Sequence, residues 1–281
     1  VKSAYPWAAA VRGSLVVLLL VVIAGCGTPP RRAPLPQPAN RSLPKLAPPA
    51  ASRTRPSDSE LLKLPDAIPK AEPRAVLGNP PFYEVMGQRY SVLNDSAGYI
   101  ERGVASWYGP DFHGQSTSIG EPYDMYSMTA AHKTLPLPAY ARVTNLTNGR
   151  SIVVRLNDRG PFKTNRIIDL SYAAALRLDM VRSGTTLVEV ATLQPDGPAP
   201  AIPKPSDIYA QVGAFSLEAN ALKLKDRLSA AGLFGVFIKS ETTQGKPLHR
   251  VRIGPIESVA AYDVLVNRLH ALSISQVTLG L

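Results

Sequence analysis

The chain has no apolar run long enough to cross a bilayer. Its longest, residues 15–24, reads LVVLLLVVIA and is ten residues, where a spanning helix needs roughly 20. Cysteine occurs once, at Cys26, which excludes a disulfide within the chain and any site built from several thiolates. No His, Cys and Asp group has metal-ligand spacing: Asp111 and His113 lie two apart and His132 is distant, so no metal is expected. There is no GxGxxG, phosphate loop or serine elbow, and no cofactor is expected. Charge of one sign is scarce where the chain can fold. Of the formal net +10, residues 27–75 carry +5, residues 82–193 only +1 and residues 206–281 only +2. A basic face for nucleic acid is therefore not expected.

What is present begins with export. Lys2 and Arg12 precede the short apolar run, which is the form of a signal peptide. It closes on Ile23-Ala24-Gly25-Cys26, which resembles the lipobox of bacterial lipoproteins. That resemblance implies removal of residues 1–25 and lipidation of Cys26, so the membrane is an expected partner. Gly27 in place of Asp implies sorting to the periplasmic face of the outer membrane. A free thiol on an exported protein is a liability, and acylation removes it.

Proline marks the domain boundaries. Fourteen of the 27 prolines fall between Pro29 and Pro81, so residues 26–81 read as an extended, semi-rigid tether. Residues 194–205 read as a second Pro-rich linker. Between them, residues 82–193 form one candidate domain, and residues 206–281 form a smaller one still able to fold alone.

Residues 82–193 read mostly as strands: 103–108, 140–145, 151–156 and 187–193, with a hairpin turn at Thr147-Asn148-Gly149. Helices are expected at 128–133 and at 170–178, the second capped by Ser171. The result is a mainly β domain of barrel-like strand density. In residues 206–281, strands at 209–215, 236–241, 248–253 and 275–281 alternate with two helical stripes. Leu217, Ala221, Leu224, Leu228 and Ala231 form the first, with Gly232 as its stop; Tyr262, Leu265, Val266, Leu269 and Leu272 form the second. The order βαββαβ predicts one antiparallel sheet with helices on one face.

Residues 103–109 (GVASWYG), Phe112-His113-Gly114, residues 120–125 (GEPYDM), 128–136 (MTAAHKTLP), 157–162 (NDRGPF) and 166–171 (RIIDLS) resemble the rare lipoprotein A family across residues 82–193. The resemblance implies a double-psi β-barrel related to plant-type expansins. Residues 209–215 (YAQVGAF) and 251–255 (VRIGP) resemble the sporulation-related repeat (SPOR) domain, which binds septal peptidoglycan stripped of stem peptides. Together they imply a lytic transglycosylase at the division septum that leaves 1,6-anhydromuramic ends; divisome proteins are further expected partners. The rival is a non-catalytic, wall-binding lipoprotein.

Such chemistry turns the muramic C6 hydroxyl onto C1, and one carboxyl serves as acid and then as base. The resemblance points to Asp158 and Glu121, with Asp158 favoured as the acid, Glu121 as stabiliser and His132 as orienter. Asn157 is expected to hold the sugar or Asp158. Trp107, Tyr108 and Tyr123 are expected to meet glycan; Trp107 and Tyr108 point to opposite sides of a strand, one to the core and one outward. Tyr209, Gln211 and Arg252 are the glycan contacts expected in the smaller domain. One departure stands out: Ile119 precedes Gly120-Glu121 where the family pattern has an amide.

Overall fold

The structure, a computed structural model, describes residues 55–203, 207–243 and 245–280. Cys26, the signal segment and the tether up to residue 54 lie outside the described residues, as do 204 and 205 of the second linker and 206, the first residue of the smaller domain.

The elements run in chain order α1 (Asp58–Leu61), β1 (Phe82–Val85), β2 (Gln88–Ser91), β3 (Ile100–Trp107), β4 (Thr129–His132), β5 (Ala139–Asn145), β6 (Ser151–Asp158), β7 (Arg166–Leu170), α2 (Tyr172–Arg177), β8 (Thr185–Leu193), β9 (Tyr209–Phe215), α3 (Glu218–Ala230), β10 (Val236–Thr243), β11 (Lys246–Ile253), α4 (Val259–Ala271) and β12 (Thr278–Gly280).

Six strands close into a barrel in the order β3-β7-β4-β6-β5-β8. Two of its pairings, β3 with β7 and β4 with β6, are parallel, and the others are antiparallel. This is the double-psi β-barrel. Alternation fills its interior: Ile152, Val154 and Leu156 of β6, Ala141 and Val143 of β5, and Val188 and Val190 of β8 are all buried. Gly103 is required where β3 crosses β7, because a Cβ there would lie 2.5 Å from Ile167 Cγ2.

Residues 128–133 do not form the expected helix. Thr129–His132 is β4, bonded on both sides by β6 and β7. A run this short gains little from helical bonds, whereas a central barrel position satisfies its backbone groups in both directions. The strand β7 and the hairpin β1–β2 were not anticipated. Ser171 caps α2 as expected, accepting from the backbone N of Ala174 at 3.2 Å.

The proline-rich tether ends earlier than its composition implies. Residues 57–81 lie against the barrel as a strap. Leu61 is 1% exposed within the barrel's main core, and burying a leucine fully stabilises by about 1.5–3 kcal/mol. The backbone N of Ala67 donates to Val153 O at 3.1 Å, and that of Ala75 to Leu137 O at 2.9 Å. Asn79 both donates to and accepts from the backbone of Leu137.

The smaller domain has sheet order β10-β11-β9-β12 with helices α3 and α4, the expected split βαβ pattern. The last strand is shorter than expected, beginning only at Thr278. Arg166 of the barrel grips both carboxylate oxygens of Asp263 on α4 at 3.1 and 3.0 Å.

Candidate active site

The barrel register builds a row across four strands. Asp158 of β6 stands opposite Ala131 of β4, Ala131 opposite Asp169 of β7, and Asp169 opposite Ser106 of β3. With strands about 4.8 Å apart, the two acids sit on backbones roughly 10 Å apart. The register slips between Ala130, opposite Leu156, and Ala131, opposite Asp158. That bulge re-aims Asp158, so that it and Asn157 both reach the same loop, residues 117–121. Gly160 closes over the row. A Cβ on it would lie 3.7 Å from Ala131 Cβ and 3.8 Å from Asp169 Oδ2, and its φ of +143° disfavours any side chain.

The three acids sit in different surroundings. Asp158 Oδ1 accepts the backbone N–H groups of Ser118 and Arg159, each at 2.8 Å. Asp169 is partly buried; burial pushes its carboxyl above the usual carboxylate range, against the hydrogen bond from Ser106 Oγ at 2.5 Å. Glu121 is held below that range, chiefly by Arg155. Arg155 Nη1 and Nη2 donate to its two oxygens at 2.7 and 3.0 Å, and Asn157 Nδ2 adds a third bond at 3.1 Å. Asn157 therefore fixes Glu121 rather than Asp158. The turn carrying Glu121 is tight, with Thr117 N donating to Glu121 O at 2.7 Å and Gly120 N to Thr117 O at 2.9 Å. Ile119 packs on the barrel core and meets Gly78 of the strap, where a Cβ would lie 3.0 Å from Ile119 Cγ2. An apolar side chain suits that covered position.

His132 is not at the row. It is 1% exposed, and burial lowers its pKa. Its Nδ1 accepts the backbone N–H groups of Thr134 and Leu135 at 3.2 and 3.1 Å, which leaves the proton on Nε2, toward Tyr99 at 3.3 Å and Glu101 at 3.6 Å. The alternation of β4 explains this: Ala131 faces the acids, so its neighbour faces away. Tyr123 is also hidden, at 2% exposure, with its ring stacked 4.0 Å behind Tyr108 and its hydroxyl donating to Tyr108 O at 3.1 Å. It supports Tyr108 rather than meeting a sugar. Trp107 and Tyr108 do not divide into one core and one outward residue. Both are half-buried on the core, Trp107 against Tyr172 at 5.6 Å and Tyr108 between Tyr123 and Phe112.

In the smaller domain, the register sets Arg252 opposite Gln211 and Phe237, and Tyr209 opposite Gly280. Ala210, Val212, Val251 and Ile253 fill the core, so Tyr209, Gln211 and Arg252 share the other face of the sheet. Gln211 Oε1 accepts from Arg250 at 3.2 Å, and Tyr209 packs edge-on to Phe237 at 5.0 Å. Arg252 is itself mostly covered, at 8% exposure.

Residues 100–190 match the family described as lytic transglycolase, and residues 204–277 match the SPOR domain. A Pseudomonas aeruginosa protein, endolytic peptidoglycan transglycosylase RlpA, is 38% identical over 79% of this chain and 82% of its own. The chain belongs to the RlpA family. The Vibrio cholerae RlpA is 44% identical over 68% of this chain and 66% of its own. A crystal structure of the RlpA SPOR domain from Pseudomonas aeruginosa is similar at 36% identity, covering 26% of this chain and 97% of that one, with a TM-score of 0.25.

Of the residues gathered around this row and the Glu121 loop, Asp158, Glu121 and Asn157 were expected from the sequence, whereas Asp169, Ser106, Arg155 and Glu72 were not. The first three of these share one signal: a polar or charged residue set in an apolar strand, as in Ile167-Ile168-Asp169-Leu170 and Val153-Val154-Arg155-Leu156. Such a group needs a partner, and often a task, to offset its desolvation. Glu72 carries no signal, lying in a Pro-rich stretch that reads as tether.

Proposed function

We propose that this RlpA-family chain is an endolytic lytic transglycosylase that cuts the MurNAc–GlcNAc bonds of peptidoglycan glycan stripped of stem peptides. The row of Asp158, Ala131, Asp169 and Ser106 across one barrel face carries the reading, because it sets two acids in unlike surroundings on either side of one small residue. Asp169, kept toward its neutral form by burial, protonates the departing glycosidic oxygen. The positive charge developing at C1 is met by the carboxylate of Glu121. Asp158, aligned by two backbone N–H groups, takes the proton of the C6 hydroxyl as that oxygen closes onto C1 to form the 1,6-anhydro end. This reading gives Asp169 the acid role that the sequence favoured for Asp158 and leaves Asp158 the base; the burial of Asp169 and the two backbone donors on Asp158 support it. Tyr108 offers the ring beside the row for a sugar face.

The family assignment and the SPOR match support an envelope location with peptidoglycan as partner. We further read Cys26 as the lipid anchor on the periplasmic face of the outer membrane, with the SPOR sheet face of Tyr209, Gln211 and Arg252 gathering the enzyme on septal glycan near divisome proteins. Radiolabelled palmitate should enter the wild-type chain and not Cys26→Ala; equal labelling would refute the anchor.

The central test incubates the purified full chain with amidase-stripped glycan strands and looks for anhydromuramic products by mass spectrometry. Wild type should release them, and Asp158→Asn and Asp169→Asn should not, with sedimentation on the glycan unchanged. Binding without products from wild type would instead identify a wall-binding protein.

A further inference from the structure

The strap places a carboxylate at the site from outside the matched barrel domain. Arg155 is held between two acids: its Nε and Nη2 donate to Glu72 at 2.9 and 2.7 Å, and its Nη1 and Nη2 to Glu121 at 2.7 and 3.0 Å. A guanidinium is a planar fork, so engaging one edge with Glu72 fixes the direction in which the other edge meets Glu121. Glu72 is itself held by the hydroxyl of Tyr140 at 2.5 Å. Its segment is pinned on both sides, by Ala67 on Val153 and Ala75 on Leu137. Beyond it, Arg159 donates to Gly78 O at 2.8 Å and to Asn79 Oδ1 at 3.0 Å, tying the strap to the residue next to Asp158. The same strap walls a cavity of about 430 Å³ whose other side includes Thr129 and Arg155.

We propose that Glu72 is a positioning residue for the glycan-cutting reaction: through Arg155 it sets the place and the charge of Glu121, so the catalytic unit begins in the strap and not at the barrel. This rests on the role given to Glu121 above. The charged groups facing Glu121 are Arg155 from β6 and Glu72 from the strap, with Lys70 acting on Glu72 in turn. Glu72 acts on the ionisation of Glu121 both directly, through its own charge, and through its hold on Arg155, whose bond is the larger influence. Loss of its fork contact leaves Arg155 free to turn, and small misplacements in a site lower rates by about tenfold to a hundredfold.

The experiment compares Glu72→Gln, Glu72→Asp and Glu121→Gln in the full chain on stripped glycan strands, with a melting curve for each. Glu121→Gln should be inactive. Glu72→Gln should lower kcat by about tenfold or more while KM stays within about twofold, and should shift the acid limb of kcat. Glu72→Asp, which restores the charge and part of the reach, should recover part of kcat. Wild-type kcat and pH profile in Glu72→Gln beside an inactive Glu121→Gln would overturn the role of Glu72 alone. An active Glu121→Gln would overturn the reading of the site, and this role with it. Should Glu72→Gln fail to fold, Tyr140→Phe removes an anchor of Glu72 and leaves the ion pair. It should lower kcat in the same direction, and an unchanged kcat would refute the proposal.

Discussion

Replacing Arg155 with methionine tests the electrostatics of the site, because it keeps most of the volume and removes the one cation between two acids. One oxygen of Glu72 and one of Glu121 each lie within 3.0 Å of Arg155 Nη2, so they are less than about 6 Å from each other. At an effective dielectric of 20, two such charges repel by about 3 kcal/mol. The side chains of Glu121 and Glu72 are 42% and 27% exposed, and solvent screening reduces that figure. With the lost hydrogen bonds, the net cost at pH 7 should be about 2 kcal/mol. For a protein of this size, that corresponds to a fall in Tm of roughly 4–8 °C. Arg155 lowers the pKa of both acids. Their contribution to stability is therefore complete above the ordinary glutamate pKa and is lost as pH falls through their lowered folded values. The variant lacks this contribution, so its deficit should be largest above about pH 5 and should shrink as pH falls toward 3. The assay is thermal melting of both proteins at pH 7 and pH 3, at low and high salt. Salt should narrow the gap at pH 7. A deficit equal at both pH values would show that Arg155 acts by packing alone and would refute the reasoning.

Asp169→Asn should be both inactive and more stable than wild type at pH 7. Burial raises the folded pKa of Asp169, so the wild type's handicap is absent below the unfolded value of about 3.9, grows as pH rises above it and is complete once pH exceeds the raised folded value. Melting at pH 7 and near pH 3 checks this, and a destabilised variant at pH 7 would refute it. His132→Ala should lose about 1–3 kcal/mol of stability, since it orphans the backbone N–H groups of Thr134 and Leu135. Its kcat per folded molecule should stay within about twofold of wild type, and a hundredfold loss at unchanged stability would return His132 to the catalytic group.

The fold was legible where local chemistry repeats. The stripe through Ala221, Leu224 and Leu228 has one solution, a helix that buries one face, and α3 is that helix, although Leu217, the first residue of the expected stripe, precedes it as the exposed N-cap. Thr147-Asn148-Gly149 joins β5 to β6 because its turn chemistry suits a hairpin. Residues 128–133 were misread because four residues hold too little periodicity, and their strand state is imposed by two neighbours distant in sequence. The strap was misread because Pro-rich composition predicts extension, which is correct, but says nothing of what an extended chain lies against.

The sequence by itself determined the two-domain order, the capped helix α2, and the presence of Asp158 and Glu121 in blocks specific to the RlpA family. Each is a property of neighbours along the chain. Only the tertiary structure decided which acids meet. Asp169 shares a row with Asp158 through strand register, His132 faces away from that row because β4 alternates, and Glu72 reaches Glu121 through an arginine 83 positions away. The physical reason is the same in each case: the state of a carboxyl depends on burial and on charges within a few ångströms, and those neighbours are set by closure of the barrel rather than by the order of residues.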